Sequence, residues 1–155
     1  MKALLFLFAL LVGTIFAEPP PKPPIGVPAD ATFFNGKWYR VYLEKLPWNR
    51  AQERCKAMGG QLVTVPDAPT WEFVKGLSQG AGLWMGATDE VTTGVWRWVD
   101  GALVKYSVWS PGQPDNAGGK EHYAAMFKGA WADVPKSGTV GNIFQTQGFM
   151  CEWKK

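Results

Sequence analysis

Three side chains that could bind a metal ion lie close together in the second half of the sequence. Gln113, Asp115 and Glu121 carry oxygen atoms in a stretch that also contains several glycines. Residues 107–120 are rich in Pro, Gly, Asp and Asn, which predicts a long loop, and loops of this length are usually functional or disordered. Ca²⁺ takes about six to eight oxygen ligands in flexible geometry, so this loop could supply a Ca²⁺ site. Composition alone favours a solvated turn, and both interpretations remain open.

Catalytic chemistry has few candidate residues in this chain. His122 is the only histidine, and it directly follows Glu121. A histidine can change its charge near neutral pH, but a solvent-facing loop residue is the favoured interpretation of His122. With one histidine, and with Cys55 and Cys151 expected to form a disulfide, neither a nucleophile–base pair nor a zinc cluster can be assembled. We therefore expect that the protein is not an enzyme.

Length and composition indicate one folded domain that does not bind nucleic acid. The chain has 155 residues, of which 46% are hydrophobic and 19% are charged, so it can bury a core. Nine Trp and nine Phe residues bring large buried areas to a small domain. The formal net charge of +3 is mild and the Lys and Arg residues form no cluster, which argues against nucleic acid as a partner.

The first 17 residues are typical of a secretory signal peptide. Lys2 precedes a nearly continuous apolar run over residues 3–16, and the small Ala17 precedes Glu18 at a suitable cleavage point. A membrane anchor is the alternative, but spanning a bilayer takes about 20 apolar residues. We expect cleavage after residue 17, a secreted protein in the extracellular space, and no membrane span in the mature chain.

A proline-rich segment follows the predicted signal peptide. Residues 18–24 read Glu-Pro-Pro-Pro-Lys-Pro-Pro. Proline restricts φ and lacks an N–H group, so this segment should be an extended polyproline II helix. We interpret residues 18–29 as a stiff spacer and residues 30–155 as the globular domain.

Cys55 and Cys151 are the two cysteines of the chain. In the oxidising environment of a secreted protein they are expected to pair, and two buried free thiols are the alternative. A bridge between them would close a loop of nearly the whole domain. In the chain-entropy description, such a bridge stabilises the fold by about 4–5 kcal/mol.

Hydrophobic periodicity predicts two early helices followed by short strands, which is an α+β domain. The first helix should run over residues 48–58, with Pro47 in its first turn and glycines at its end. The second should begin after Asp67, a good N-cap, and reach Leu77. Strands are expected at 38–43, 61–65, 83–87, 96–98, 123–127, 130–133 and 148–153.

Several motifs in the same order resemble those of C-type lectin-like domains, from Asn35 to Trp153. They are Trp48–Cys55 with Gly59–Val63, Leu83–Ala87, Gly94–Trp98, Tyr106–Trp109, Gln113–Asp115, Trp131–Asp133 and Phe149–Glu152. The resemblance covers the whole predicted domain. It implies an α+β C-type lectin-like fold of two helices, short antiparallel sheets and a long ligand loop.

The resemblance also implies a site in which a Ca²⁺ ion binds a sugar directly. Carried onto this chain, the metal and carbohydrate ligands are Gln113, Asp115, Glu121 and Asp133. Pro114 should follow a cis peptide bond. Sugar-binding members usually have Asn where this chain has Ala132, so we expect Ca²⁺ binding to be weakened rather than lost.

The order Gln-Pro-Asp over residues 113–115 resembles galactose-type members, which implies glycans or glycoconjugates with galactose-type sugars as partners. The glycine-containing loop at 116–119 lacks the Trp that often stacks on the sugar in those members. Trp109 or Trp131 could replace it, although burial in the core is the favoured interpretation of both.

The alternative function is a lectin-like scaffold that binds a protein or another surface without Ca²⁺. Ala132 and the missing stacking Trp favour it. So does the absence of the second disulfide of the family, which the resemblance would place near Tyr123 and Lys136, neither of which is a cysteine.

Other titratable residues are expected to be structural. An auxiliary Ca²⁺ site of the family would fall on Asp89, Thr93, Asn116, Glu121 and His122, and we expect it to be absent because Asp89 and Glu121 are its only acidic members. Glu152, beside Cys151, is interpreted as a paired structural carboxylate.

Overall fold

The computed structural model describes residues 21–141 and 144–154. The predicted signal peptide at 1–17 and the first three residues of the predicted spacer lie outside the described residues, and both stay predictions. In the described part of the chain, no helix combines the length and the hydrophobicity that crossing a membrane requires.

Two helices form where the periodicity predicts them. α1 spans Trp48–Ala57, and its buried face includes Cys55. α2 spans Ala68–Ser78, and Asp67 caps it by accepting a hydrogen bond of 2.8 Å from the Thr70 N–H. This capping bond satisfies one of the N–H groups that have no partner within the first turn of a helix.

The remaining elements are short strands. They are β1 (Thr32–Phe34), β2 (Lys37–Tyr42), β3 (Gln61–Leu62), β4 (Leu83–Thr88), β5 (Arg97–Trp98), β6 (Glu121–Phe127), β7 (Ala130–Pro135), β8 (Thr139–Val140), β9 (Phe144–Gln145) and β10 (Gly148–Lys154). A short 3₁₀ turn at Ala117–Gly119 interrupts the long loop before β6.

One mixed sheet forms the centre of the domain. Its order is β1-β2-β10-β4-β6-β7, with β3 paired to β10 and β5 paired to β4. β10 and β4 run parallel, with Gly148 opposite Leu83. The α+β class with two helices is therefore confirmed, but the sheet is not antiparallel throughout, because two strands that are distant in the sequence meet side by side.

Strand β1 was not expected from the sequence. It forms a hairpin with β2 in which Phe34 pairs with Lys37. The two turn residues, Asn35 and Gly36, both have positive φ values, 45° and 79°. A two-residue turn of this kind matches the right-handed twist of the strands, and an Asn-Gly pair is its usual sequence.

A disulfide joins Cys55 in α1 to Cys151 in β10, which confirms the predicted pairing. The two Cα atoms are 5.6 Å apart and the residues are separated by 96 positions. Both side chains are fully buried. The bridge therefore ties the first helix to the last strand inside the core.

The segment before β1 packs against the domain. The Val27 N–H donates to the Pro24 carbonyl, and the Ala31 N–H donates to the Pro28 carbonyl, each at 3.0 Å. Val27 and Ala31 are buried in the core. The last residues of the predicted spacer thus turn back onto the fold, and the boundary at residue 30 stays a prediction.

A cluster of aromatic rings lies behind the long loop. Trp131 is fully buried, and four rings approach it edge-on with centroid separations of 5.6–6.3 Å: Trp71, Trp98, Tyr106 and Trp109. The main-chain N–H of Trp131 also donates to the Val108 carbonyl at 2.7 Å. Trp131 is therefore a core residue, and it anchors the strand that carries Ala132 and Asp133.

Candidate functional site

Three carboxylates converge at the end of the long loop. Asp115, Glu121 and Asp133 each offer one oxygen atom, and these atoms lie within 4.8 Å of one another. Asp115 is exposed, whereas Glu121 and Asp133 are buried. Like charges at this separation repel each other in a partly buried site, so the arrangement favours a bound cation.

Each carboxylate comes from a different element. Asp115 lies in the loop, Glu121 begins β6, and Asp133 lies in the middle of β7. β6 and β7 form an antiparallel hairpin in which Asp133 is opposite Ala124. The hairpin therefore places two of the carboxylates on a rigid support, and the loop brings the third to them.

Hydrogen bonds attach the loop to β7. The Gln113 Oε1 atom accepts a hydrogen bond of 3.1 Å from the Asp133 N–H. In return, the Asp133 carboxylate accepts from the Asp115 N–H at 3.1 Å and from the Asn116 N–H at 2.7 Å. The Gln113–Pro114 peptide bond is cis, as the resemblance implied.

A second set of hydrogen bonds attaches the loop to β6. The Glu121 N–H donates to the Asn116 Oδ1 atom at 3.1 Å, and the Glu121 Oε2 atom accepts from the Ala117 N–H at 3.3 Å. Asn116 thus donates its main-chain N–H to Asp133 in β7 and accepts, with its side chain, from Glu121 in β6. All four predicted ligands, Gln113 included, are brought together by these bonds.

The electrostatic environment of the two buried carboxylates disfavours their charged forms. Burial raises the pKa of Glu121, and the negative charges of Asp133 and Asp115 raise it further. Burial also raises the pKa of Asp133, against the hydrogen bonds from the loop that lower it. A divalent cation between these groups would replace the repulsion with attraction.

A cavity of about 260 Å³ opens beside the carboxylates. One part of its lining is polar and consists of Gln113, Asp115, Glu121 and Asp133. The other part is apolar and consists of Ala117, Phe127, Ala132, Val134 and Val140. The residues of the polar part were predicted from the sequence, whereas those of the apolar part were not.

Residues 44–141 match the family described as the lectin C-type domain. The chain belongs to the C-type lectin domain family. The α+β C-type lectin fold expected from the motifs is thereby confirmed.

The carbohydrate-recognition domain of cow CD23, solved in the presence of a GlcNAc₂Man₃ oligosaccharide, superimposes on this chain with a TM-score of 0.75 at 25% identity. The match covers 83% of this chain and 96% of that one.

Two relatives have similar sequences. Perlucin-like protein from Mytilus galloprovincialis is 32% identical over 136 residues, which cover 83% of this chain and 83% of that protein. Hepatic lectin from Gallus gallus is 31% identical over 105 residues, which cover 66% of this chain and 51% of that lectin. The chain therefore spans about half the length of the hepatic lectin.

In this C-type lectin domain, Asp89 is engaged by protein groups. Its Oδ1 atom lies 2.9 Å from the His122 Nδ1 atom, and its Oδ2 atom accepts from the Gly94 N–H at 2.7 Å. Thr93, another residue of the auxiliary site that the resemblance implied, is exposed. The expected absence of that auxiliary metal site stays a prediction.

The interpretation of His122 as a solvent-facing loop residue is wrong. His122 lies in β6, and 21% of its side chain is exposed. The low exposure of the ring follows from its pairing with Asp89, because the contact with this buried carboxylate holds the ring against the domain. Pairing across 33 residues leaves no signal in the local sequence.

Glu152 is a structural carboxylate, as interpreted from the sequence. Its Oε1 atom accepts hydrogen bonds from the side chains of Lys37, Gln61 and Thr64 at 2.9–3.0 Å. Its Oε2 atom accepts from the Thr64 N–H at 3.2 Å. These bonds satisfy both buried oxygens, so Glu152 is not free to bind a ligand.

Proposed function

We propose that this protein is a secreted, Ca²⁺-dependent lectin that binds glycans with galactose-type sugars. The observation that carries the proposal is the convergence of Asp115, Glu121 and Asp133, with their oxygens within 4.8 Å, on one open cavity. Membership in the C-type lectin domain family supports glycans as the class of ligand.

The residues present suit Ca²⁺ by their chemistry. Gln113, Asp115 and Glu121 would give one oxygen each, and Asp133 would give a side-chain and a backbone oxygen. Two sugar hydroxyls would bring the total to about seven, within the normal range for Ca²⁺. Ala132 offers no side-chain ligand, so we expect weaker affinity than a complete ligand set would give. When bound, the ion would hold the two hydroxyls and orient the sugar.

The order of the amide and the acid supports a galactose-type preference. Gln113 precedes Pro114 and Asp115 precedes the glycine-containing turn. An amide can both donate and accept hydrogen bonds, whereas an ionised carboxylate can only accept, so their order determines which sugar hydroxyl fits at each position.

Retention on galactose resin tests this function. We expect the purified protein to be retained in Ca²⁺ and eluted by a chelator or by free galactose. Glu121→Gln should abolish retention, because it removes one of the two buried carboxylates. Asp100→Asn is the matched control, since Asp100 is exposed and lies outside the cavity. Equal retention of both variants would argue against the proposal.

Extracellular localisation is the second part of the proposal. The apolar run at 3–16 supports it, and so does the Cys55–Cys151 disulfide, because such bridges persist mainly in oxidising compartments. Expression in cells that secrete proteins should release a chain whose N-terminal residue, read by mass spectrometry, is Glu18. Retention inside the cells with residue 1 intact would contradict this part.

A Ca²⁺-independent scaffold for a protein partner is the second candidate function. One observation favours it: the Asp133 carboxylate already accepts two N–H groups of the loop, so the loop is held by protein contacts alone. Under this alternative, Ca²⁺ would change neither the melting temperature nor the binding of any glycan.

A further inference from the structure

A second cavity shares no lining residue with the cavity beside the carboxylates. Its volume is about 330 Å³, a size typical of small-molecule sites. Its lining includes three lysines and three apolar residues: Lys37, Lys105, Lys154, Pro66, Trp98 and Leu103. We call it the lysine cavity. The proposed sugar site uses none of these residues.

Two of the lysines are neighbours in the sheet. Lys37 is opposite Lys154 in the ladder of β2 with β10. Residues directly opposite each other in a sheet place their side chains on one face, and like charges there repel each other. The Lys37 Nζ atom donates to the Glu152 Oε1 atom at 2.9 Å, which compensates the charge of Lys37. Within residues 21–141 and 144–154, no acidic group forms an ion pair with Lys154.

Lys105 likewise forms no ion pair in the part of the chain that the structure describes. Asp100 also lines the cavity, and its Oδ1 atom accepts from the Ala102 N–H at 3.0 Å within a turn. Two uncompensated ammonium groups therefore stand against one carboxylate in the lining. A ligand with a single negative charge would balance the excess.

The apolar side of the lysine cavity is preformed. Trp98 packs against Trp131 with ring centroids 5.7 Å apart, and its main-chain N–H donates to the Ala102 carbonyl at 2.9 Å. Leu103 is 48% exposed, and Pro66 is exposed as well. An apolar group that covered these side chains would remove their surface from water, which favours binding.

The two sides together select an amphipathic ligand. Attraction between exposed charges is weak in water, so a small inorganic anion would gain little and would leave the apolar side hydrated. A neutral apolar molecule would leave the repulsion between the lysines in place. An anion that carries an apolar group satisfies both sides at once.

We propose that the lysine cavity binds a small organic anion of single negative charge, with an apolar group next to its anionic group. The anionic group is a carboxylate or a sulfate monoester, since both offer oxygen acceptors to the ammonium groups of Lys105 and Lys154. This binding requires neither Ca²⁺ nor a sugar, so it is independent of the proposed function.

Four ligands titrated by calorimetry at low ionic strength test the inference. Hexanoate and hexyl sulfate combine both features, methyl sulfate has only the charge, and 1-hexanol has only the chain. At least one of the two hexyl anions should bind saturably to one site, about tenfold or more tighter than methyl sulfate and 1-hexanol, because each buried methylene contributes about fourfold. The tighter of the two identifies the anionic group. Equal affinity for hexyl sulfate and methyl sulfate, or no binding of either hexyl anion, would overturn the inference.

A double substitution assigns the binding to the lysines. Lys105→Gln with Lys154→Gln should weaken binding of the hexyl anions about tenfold and leave that of 1-hexanol unchanged. Lys22→Gln with Lys56→Gln is the matched control, because it removes the same charge from exposed residues outside the cavity. Equal weakening in both double variants would contradict a local site. Added NaCl should also weaken binding of the anions but not of 1-hexanol.

Two further variants locate the apolar contact and separate this site from the carboxylates. Leu103→Ser should weaken hexyl sulfate about fourfold or more and leave methyl sulfate unchanged, whereas the control Val91→Ser, at a residue that is 91% exposed, should change neither. Melting curves verify that all variants fold. Glu121→Gln, measured in chelator, should bind the hexyl anions as the unchanged protein does. Loss of their binding in Glu121→Gln would place them at the carboxylates and overturn the inference, whatever the result for Ca²⁺.

Discussion

The carboxylate of Asp133 accepts a hydrogen bond of 2.7 Å from the main-chain N–H of Asn116. This bond, with the neighbouring one from the Asp115 N–H, joins the middle of β7 to the ligand loop. The residue that would bind the metal therefore also holds the loop in place. Asp115 itself is exposed, and its carboxylate interacts with the Glu121 carboxylate within the same site.

This difference between the two residues predicts that Asp133→Ala and Asp115→Ala affect Ca²⁺ binding equally but lower the free energy of unfolding by different amounts. Asp133→Ala should lower the free energy of unfolding by about 2–3 kcal/mol without Ca²⁺, because hydrogen bonds to a charged, buried acceptor are lost. Asp115→Ala should change it by less than about 0.5 kcal/mol, as exposed sites usually do. Both should abolish Ca²⁺ binding. Urea denaturation in chelator measures the difference, and equal destabilisation would refute the structural role of Asp133.

A second prediction concerns a cluster near the positions where the resemblance implies the second disulfide of the family. The Lys136 Nζ atom lies 2.6 Å from a Glu90 carboxylate oxygen and 5.2 Å from the centroid of the Tyr123 ring. These contacts join the end of β7, the start of β6 and the loop after β4. The ion pair is half-exposed, so each contact contributes modestly.

Lys136→Met should therefore lower the free energy of unfolding by about 1 kcal/mol. Arg50→Met is the comparison, because Arg50 also forms an ion pair, with Glu53 at 2.8 Å, but on an exposed helix surface without a ring. It should cost less stability than Lys136→Met, because solvent screens an exposed helix-surface pair. Thermal melting of the two variants checks this, and a larger loss for Arg50→Met would show that the cluster adds nothing to an ordinary surface pair.

The third prediction is the pH dependence of the cap on α2. Hydrogen bonds from Thr70 lower the pKa of Asp67. A carboxyl group with a lowered pKa in the folded state stabilises the fold above its unfolded pKa of about 3.9, and this contribution is lost as the pH falls through the folded value.

At neutral pH, Asp67→Ala should cost about 1 kcal/mol of stability, the usual value of an N-cap. The difference from the unchanged protein should shrink as the pH falls below about 4. Asp67→Asn keeps an oxygen acceptor without a titrating proton, so it should lose little stability at neutral pH. Urea denaturation of the three proteins at several pH values measures both effects, and a pH-independent cost of Asp67→Ala would contradict the role of the carboxylate.

The helices and the disulfide could be predicted because their signals are local or compositional. Asp67 and Pro69 mark the start of α2, and the two cysteines have one possible pairing within the chain. Strand β1 also has a local signal, the Asn35–Gly36 pair of its hairpin turn, although no strand was expected there. The parallel pairing of β4 and β10 has no local signal, because it depends on the closure of the whole chain.

The candidate site was only half predictable, for a physical reason. Its oxygen-bearing residues stand out in a glycine-containing loop, and the resemblance added Asp133. Phe127 and Val140 look like ordinary strand residues in the sequence, and only the register of β6 with β7 and the position of β8 bring them to the same cavity. The pairing of His122 with Asp89 is likewise a contact between distant residues.

Calorimetric titration of Ca²⁺ into the chelator-stripped protein tests the central claim most directly, since every other property of the proposed site depends on the metal. We predict saturable binding to one site, a melting temperature that rises with Ca²⁺ concentration, and loss of both in Glu121→Gln but not in Asp100→Asn. No binding heat and no change in melting temperature would contradict the claim and would leave the Ca²⁺-independent scaffold as the function of this domain.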